Sequence, residues 1–288
     1  MNSTVAVPLY PPDGPQTIGQ VLDAGFRVFK VSVVRCLLFG ALAMIAGQLP
    51  NIYSLAVGES FGAYLHGEPV TVVLAVIGSV LAVYFSAVML LRQRDMAQGG
   101  RQATRVELAQ ASRRLPALVG VTAVSVFVLA IVPLLLLLSQ GGSFFGLSPV
   151  VADIVGATLA LPALWVLPGL AMAVVVAVLT PSGMLASLKQ GISLALGNWW
   201  RIMVTFAVWG VLLAVLNLVA VIVLMMALPL LGAQDVITLS AVTPVVFIAL
   251  RAIGLPFLVA ILLAVYGDLQ VRKHGVDLEQ RVAGVAQA

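Results

Sequence analysis

Arg251 is the one cation of this chain that lies within an apolar run. At the centre of a membrane helix an arginine costs about 2.5–3.5 kcal/mol on insertion scales, so the residue asks for a functional or an interfacial explanation. The interfacial one is favoured. Asp235 to Arg272 is too long for one perpendicular span, and Ala252–Leu269 alone would cross about 27 Å at 1.5 Å per residue. Arg251 then sits at the outer interface, on a short helix from about Val236. There its guanidinium can snorkel to phosphate headgroups or pair with Asp153 or Asp235.

Other residues offer little chemistry. His66 lies with Glu59 and Glu68 in a polar connection, too loosely spaced for a zinc pattern, and His274 is far from it in the chain. Nothing specific suggests a Ser-His-Asp triad, and there is no G-x-x-x-x-G-K followed by Ser or Thr to cradle phosphate. No Asp or Glu lies in the middle of an apolar run, where a proton-coupled transporter usually keeps a titratable relay. Cys36 is the single cysteine, so an intrachain disulfide is excluded, and its apolar surroundings argue against a reactive thiol. No catalytic residue, metal site or cofactor is expected, and the chain is not expected to be an enzyme.

Two apolar segments contain helix breakers: Pro162 and Pro168 with Gly169 in one, Pro244, Gly254 and Pro256 in the other. Proline in a membrane helix frees carbonyls that neighbours, water or a ligand must satisfy. Pro162, Pro168 and Pro256, with Arg251, are therefore the candidates for a ligand or lipid-headgroup site, simple kinks being the commoner outcome. Trp199, Trp200 and Arg201 form an interfacial anchor, two amphipathic rings followed by a cation.

These residues must be positioned by membrane helices. The chain is 61% hydrophobic and 9% charged, against roughly 25% charged in globular domains. Apolar segments near Val31–Leu49, Val70–Leu91, Leu118–Leu138, Ile154–Leu179, Ile202–Leu231 and Ala252–Leu269 are each about long enough to cross 30 Å of hydrocarbon. Their connections alternate. Those near Glu59, Asp153 and Asp235 carry no Lys or Arg, whereas the other connections and both flanks, with Arg35 counted in the N-terminal approach to the first segment, carry every basic residue except Arg251. Six spans with both termini in the cytoplasm follow from the positive-inside bias. The net charge of +4 then faces the anionic inner leaflet, and nucleic acid is an unnecessary partner.

Inner segments align with one another. GQVLDAGFRVFKVSVVRCLLFG from Gly19 lies over SLKQGISLALGNWWRIMVTFA from Ser187, placing Leu22 on Leu188, Gly25 on Gly191 and Arg35 on Arg201. A weaker third copy starts at Thr104, with a period near eighty residues. Each unit reads as an inner amphipathic helix, a span, an outer loop and a returning span. In the first, Ile18, Val21, Leu22, Phe26 and Phe29 share one helical face opposite Gln20, Asp23, Arg27 and Lys30. Thr17 with Gln20 and Thr104 with Glu107 predict capping boxes, and Thr180 before Pro181 predicts a cap. Such repeats place a cavity on a shared axis or are ancestral duplications of a scaffold.

TIGQVLDAGFRVFK at Thr17–Lys30, LKQGISLALGNWWR at Leu188–Arg201 and YGDLQVRKHGVDLE at Tyr266–Glu279 together resemble a bacterial membrane-domain family. That family occurs N-terminal to some glycerophosphodiester phosphodiesterases and as stand-alone multi-pass proteins. Tyr266, Asp268, Leu269, Arg272, Gly275, Asp277 and Leu278 match its closing motif, while Gln270 and His274 replace the usual arginine and glutamate, and Gly191 a common serine. The resemblance implies a membrane domain of the stand-alone kind. The fused enzymes' chemistry belongs to a separate barrel of about 250 residues, and only a short tail follows Asp268. By spacing, Asp268 and Arg272 suit an intrahelical pair.

The expected fold is all-α: six transmembrane helices in three pseudo-repeated pairs, with cytoplasmic interfacial amphipathic helices. Residues 1–16 form a flexible cytoplasmic tail, 17–271 the membrane domain (repeats about 17–91, 104–179 and 182–271), and 272–288 a second tail. The expected role is a non-catalytic scaffold, partner subunit or envelope-homeostasis factor of a bacterial inner membrane. It would contact the bilayer, its anionic phospholipids and a membrane-protein partner. The alternative is a lipid-handling or small-molecule permease with its site on the repeat axis.

Overall fold

The computed structural model describes residues 9–57, 68–100, 102–140, 149–230 and 236–275, and their side chains except at 131–140, 149–157, 159–164, 227–230, 236–244, 247 and 274. Among these residues the regular structure is entirely helical: α1 (Ile18–Gly47), α2 (Leu49–Ala56), α3 (Pro69–Ala97), α4 (Thr104–Gln140), α5 (Pro149–Leu179), α6 (Met184–Ala195), α7 (Trp199–Leu230) and α8 (Val236–His274). The chain divides into two compact units, Met1–Ser112 with Val204–Asp268, and Arg113–Met203 with Leu269–Ala288.

Within the described residues five helices are long and apolar enough to cross a bilayer: Ile18–Gly47, Pro69–Ala97, Thr104–Ala130, Trp199–Met226 and Ile248–Lys273. A shorter apolar helix covers Trp165–Leu179 in α5. Their large side chains are left outward: Val34 on α1 and Val211, Leu218 and Met226 on α7 are all exposed. Apolar surface on this scale is not left bare in water. The chain is built as a multi-pass membrane protein.

Helix α1 starts on the expected capping box. The Thr17 hydroxyl accepts from the Gln20 amide at 3.3 Å, and Gln20 Oε1 accepts from the Thr17 amide at 2.7 Å. From there α1 continues unbroken to Gly47, so its amphipathic first turns are the start of the apolar helix rather than a separate interfacial element. Helix α4 is likewise continuous. Only the α6 segment stands apart, closed by the Leu196–Asn198 turn with Gly197 at φ +82°.

Small residues set the helix contacts, as is usual where apolar side chains gain little by leaving lipid. In the first unit α1 packs along α3. A Cβ on Gly78 would strike the Ala46 carbonyl, and one on Gly25 would lie 3.2 Å from Ile261 Cα. In the second unit α5 packs along α6. Here a Cβ on Gly191 would fall on the Ala173 backbone, and one on Gly169 would lie 3.1 Å from Ile192 Cα.

Several expectations need correction. The Thr104–Glu107 box is replaced: Thr104 is already inside α4, and its hydroxyl and the Glu107 carboxylate both bind Arg92. Thr180 caps nothing. Its hydroxyl donates to the Val176 carbonyl at 2.7 Å, and α6 begins three residues beyond Pro181 with Gly183 as its cap residue. The short helix from Val236 is the first part of one 39-residue helix that runs through Arg251. The proline-bearing helices are not broken either, since α5 passes through Pro162 and Pro168 and α8 through Pro244 and Pro256. Helix α2, between α1 and α3, adds an element to those expected. The tail expected over residues 1–16 is bound in its second half, as described next.

Candidate functional site

At the junction of α1, α3 and α4 the Arg92 guanidinium is engaged on every side. Its Nε and Nη2 donate to one oxygen of Glu107 at 2.9 and 2.5 Å, Nη2 to Thr104 Oγ1 at 2.7 Å, and Nη1 to the Arg35 carbonyl at 2.9 Å. The Phe39 ring lies under the guanidinium carbon, 4.7 Å from centroid to Cζ. Glu107 keeps 3% of its side-chain exposure and Arg92 12%, so this is a buried pair. A buried pair gains from further hydrogen bonds to its ions, and Thr104 and the Arg35 carbonyl supply them to Arg92. By sequence Arg92 is one of the basic residues of the connection between the second and third apolar segments. Its one available signal was a pair of carboxylates, Asp95 and Glu107, among six arginines.

Beside it, Gln93 reaches from α3 to α8, Nε2 donating to the Pro256 carbonyl at 2.8 Å. Pro256 cannot donate to Ala252, four residues earlier, which frees that carbonyl. The freed oxygen lies where Gly40 has no side chain: a Cβ there would be 2.5 Å from it and 3.3 Å from the proline ring. Proline and glycine thus form one close crossing of α1 and α8. Pro256 is buried for packing.

A third set of contacts lies at the ends of α3 and α8. The Leu9 amide donates to the Ala97 carbonyl at 2.7 Å, and the Gln16 amide to Asp268 Oδ1 at 2.7 Å. Gly267 leaves room for the segment between, its missing Cβ falling 2.9 Å from the Tyr10 ring and 3.0 Å from Pro12. Burial raises the Tyr10 phenol above its ordinary pKa, with Tyr266 adding to the effect and Arg94 opposing it. Tyr266 and Asp268 of the closing motif are buried, whereas Arg272 is exposed. Asp277 lies outside the described residues.

The second unit holds an open groove of about 130 Å³, lined by Trp165, Val166, Gly169, Ile192, Leu196 and Trp199 among others. The Trp199 indole N–H donates to the Trp165 carbonyl at 2.9 Å. Trp165 stands three residues before Pro168, where a proline disturbs helix bonding. Trp200 is exposed and stacks on Trp199 with centroids 6.1 Å apart. The expected anchor is therefore divided: Trp199 joins α5 to α7 and Trp200 faces outward. Arg201 is half-buried.

The expected ligand candidates fall in both units. Arg251 is exposed and belongs to the first unit with Pro256, while Pro162 and Pro168 belong to the second. Pro168 is buried; the Pro162 side chain lies outside the described residues. Among the described residues no group of three or more His, Cys, Asp and Glu could hold a metal ion. Comparison with protein-family models, with curated proteins and with solved structures finds no match.

Proposed function

We propose that this chain is a non-catalytic protein of a bacterial inner membrane. In this reading it crosses six times in three pseudo-repeated pairs, with both termini cytoplasmic, and serves as a scaffold or partner-binding subunit in envelope homeostasis. One recurring contact supports this. Arg92, Thr180 and Asp268 lie 88 residues apart, each near the inner end of a returning helix. Each binds the segment that opens an inner helix: Arg92 holds Thr104 and Glu107 at the start of α4. Thr180 reaches Ser187 of α6 through the Ser182 hydroxyl, by two contacts of 2.8 Å. Asp268 holds Gln16 just before α1. Polar groups that a permease would turn toward a pathway here join one segment of chain to the next. Resemblance of the three sequence stretches to the stand-alone membrane-domain family points the same way.

The test is mass spectrometry of the protein extracted with its native lipids. A stoichiometric protein companion is expected, and an enriched small molecule without a companion would replace the scaffold reading by a carrier. Topology is checked separately with Cys36→Ala carrying Glu59→Cys or Asp235→Cys. An impermeant thiol reagent added outside the cell should label both, and labelling only after lysis overturns the orientation. The permease alternative is weakened by the unbroken courses of α5 and α8, since broken helices were its motive.

A further inference from the structure

We infer that Leu9–Gln16 is a latch: it holds α1 against α8, and its release opens the contact between these two helices. The inference rests on the joints between helix pairs proposed above, and adds to them the place where one joint opens.

Two helix contacts recur at corresponding positions. Gly191 of α6 leaves room for the Ala173 backbone of α5, and Gly169 of α5 for Ile192. On α8 the positions 88 residues beyond Ala173 and Gly169 are Ile261 and Phe257. Ile261 Cα lies 3.2 Å from where a Cβ of Gly25 would stand, and the Phe257 ring is centred 6.3 Å from that of Phe26. Gly25 and Phe26 are in turn the residues that align with Gly191 and Ile192. So α8 grips α1 as α5 grips α6.

The joints differ in one respect. Residues 180–183 connect α5 to α6 and residues 98–103 connect α3 to α4, so these partners are tethered by the chain itself. Helices α8 and α1 are separated by the whole of α2 to α7. The start of α1 is held instead by the segment before it. The Gln16 amide donates to Asp268 Oδ1 of α8, and at the far end the Leu9 amide donates to the Ala97 carbonyl of α3, both at 2.7 Å. Between them Tyr10 and Pro12 occupy the notch at Gly267. Hydrogen bonds and a shaped notch thus stand where the other joints have a covalent connection, and contacts of this kind open at lower free energy than a packed core.

Cys36 reports on the seam. It is the single cysteine of the chain and is fully buried. It lies one turn before Gly40, whose missing side chain admits the Ala252 carbonyl of α8, and residues four apart share a helix face.

The test is the rate at which N-ethylmaleimide alkylates Cys36 in the full chain in native membranes. Two variants release the latch: Tyr10→Ala, which leaves every helix residue in place, and Gly267→Val, which fills the notch. Each should speed alkylation by about tenfold or more, since a buried thiol is inert until it is uncovered. Thr180→Val, at the α5–α6 joint, should leave the rate unchanged. An unchanged rate in both latch variants overturns the latch and leaves the joints of the proposed function standing. Equal acceleration by Thr180→Val overturns it in favour of general loosening. Rapid alkylation already in the unaltered chain means that α1 does not seat on α8, and overturns the latch and the joints together. Should both latch variants misfold, hydrogen exchange of the unaltered chain decides. Amides 21–28 of α1 should open together with that of Leu9 and before amides 187–192 of α6, and the reverse order overturns the latch.

Discussion

One carboxylate oxygen of Glu107 receives two donors of Arg92, at 2.9 and 2.5 Å, and so ties the end of α3 to the start of α4. The pair is shielded, and Thr104 and the Arg35 carbonyl take two further donors of Arg92, which makes it a joint between consecutive helices.

Removing one partner should therefore be far worse than removing both. Glu107→Ala leaves a guanidinium buried without its counter-charge and should cost about 3–5 kcal/mol. Arg92→Met with Glu107→Leu should recover most of that loss. Thermal unfolding of the three variants in one detergent checks it, and additive losses would show that the two residues do not act as a pair.

Gly40→Ala offers a sign test. In an exposed helix the change favours folding by up to about 1 kcal/mol. Here the new methyl meets the Ala252 carbonyl at 2.5 Å, so overpacking of about 1–3 kcal/mol should dominate. Gly191→Ala, aimed at the Ala173 backbone, should behave alike, while Gly210→Ala, with open space around it, should be neutral or stabilising. Melting temperatures decide the order.

The segment docked on α8 should respond to alkaline pH. The Tyr10 phenol has its pKa raised by burial, so the folded form holds its proton where the unfolded form, near about 10, loses it. Its contribution is complete below that value and is lost as pH rises toward the folded pKa. Hydrogen exchange at the Leu9 and Gln16 amides should accelerate above about pH 10. Tyr10→Phe should remove that Tyr10-linked component, and Asp268→Ala should speed exchange at Gln16 at neutral pH.

Arg251, exposed on α8, should tolerate Arg251→Lys within about 0.5 kcal/mol. A larger drop in the unfolding midpoint would mean that the guanidinium shape, and not its charge alone, is used.

Composition and apolar run length determine by themselves that this is a helical membrane chain, because twenty consecutive apolar residues have few other stable environments. Local patterns with a local partner were equally legible: the Thr17–Gln20 box closes within one turn, so four residues contain all its physics. Thr104–Glu107 has the same spacing and a different fate, because Arg92, fifteen residues before Glu107, competes with the amide for the carboxylate. Gly40 and Pro256 illustrate the other limit. Each alone signals a weak helix, and their meaning, one supplying the space that the other's freed carbonyl occupies, exists only when 215 residues of intervening chain bring α1 and α8 together. Periodicity can show which face of a helix is apolar. Only the tertiary structure decides which helix meets that face, because close packing depends on matched shapes that sequence spacing does not carry.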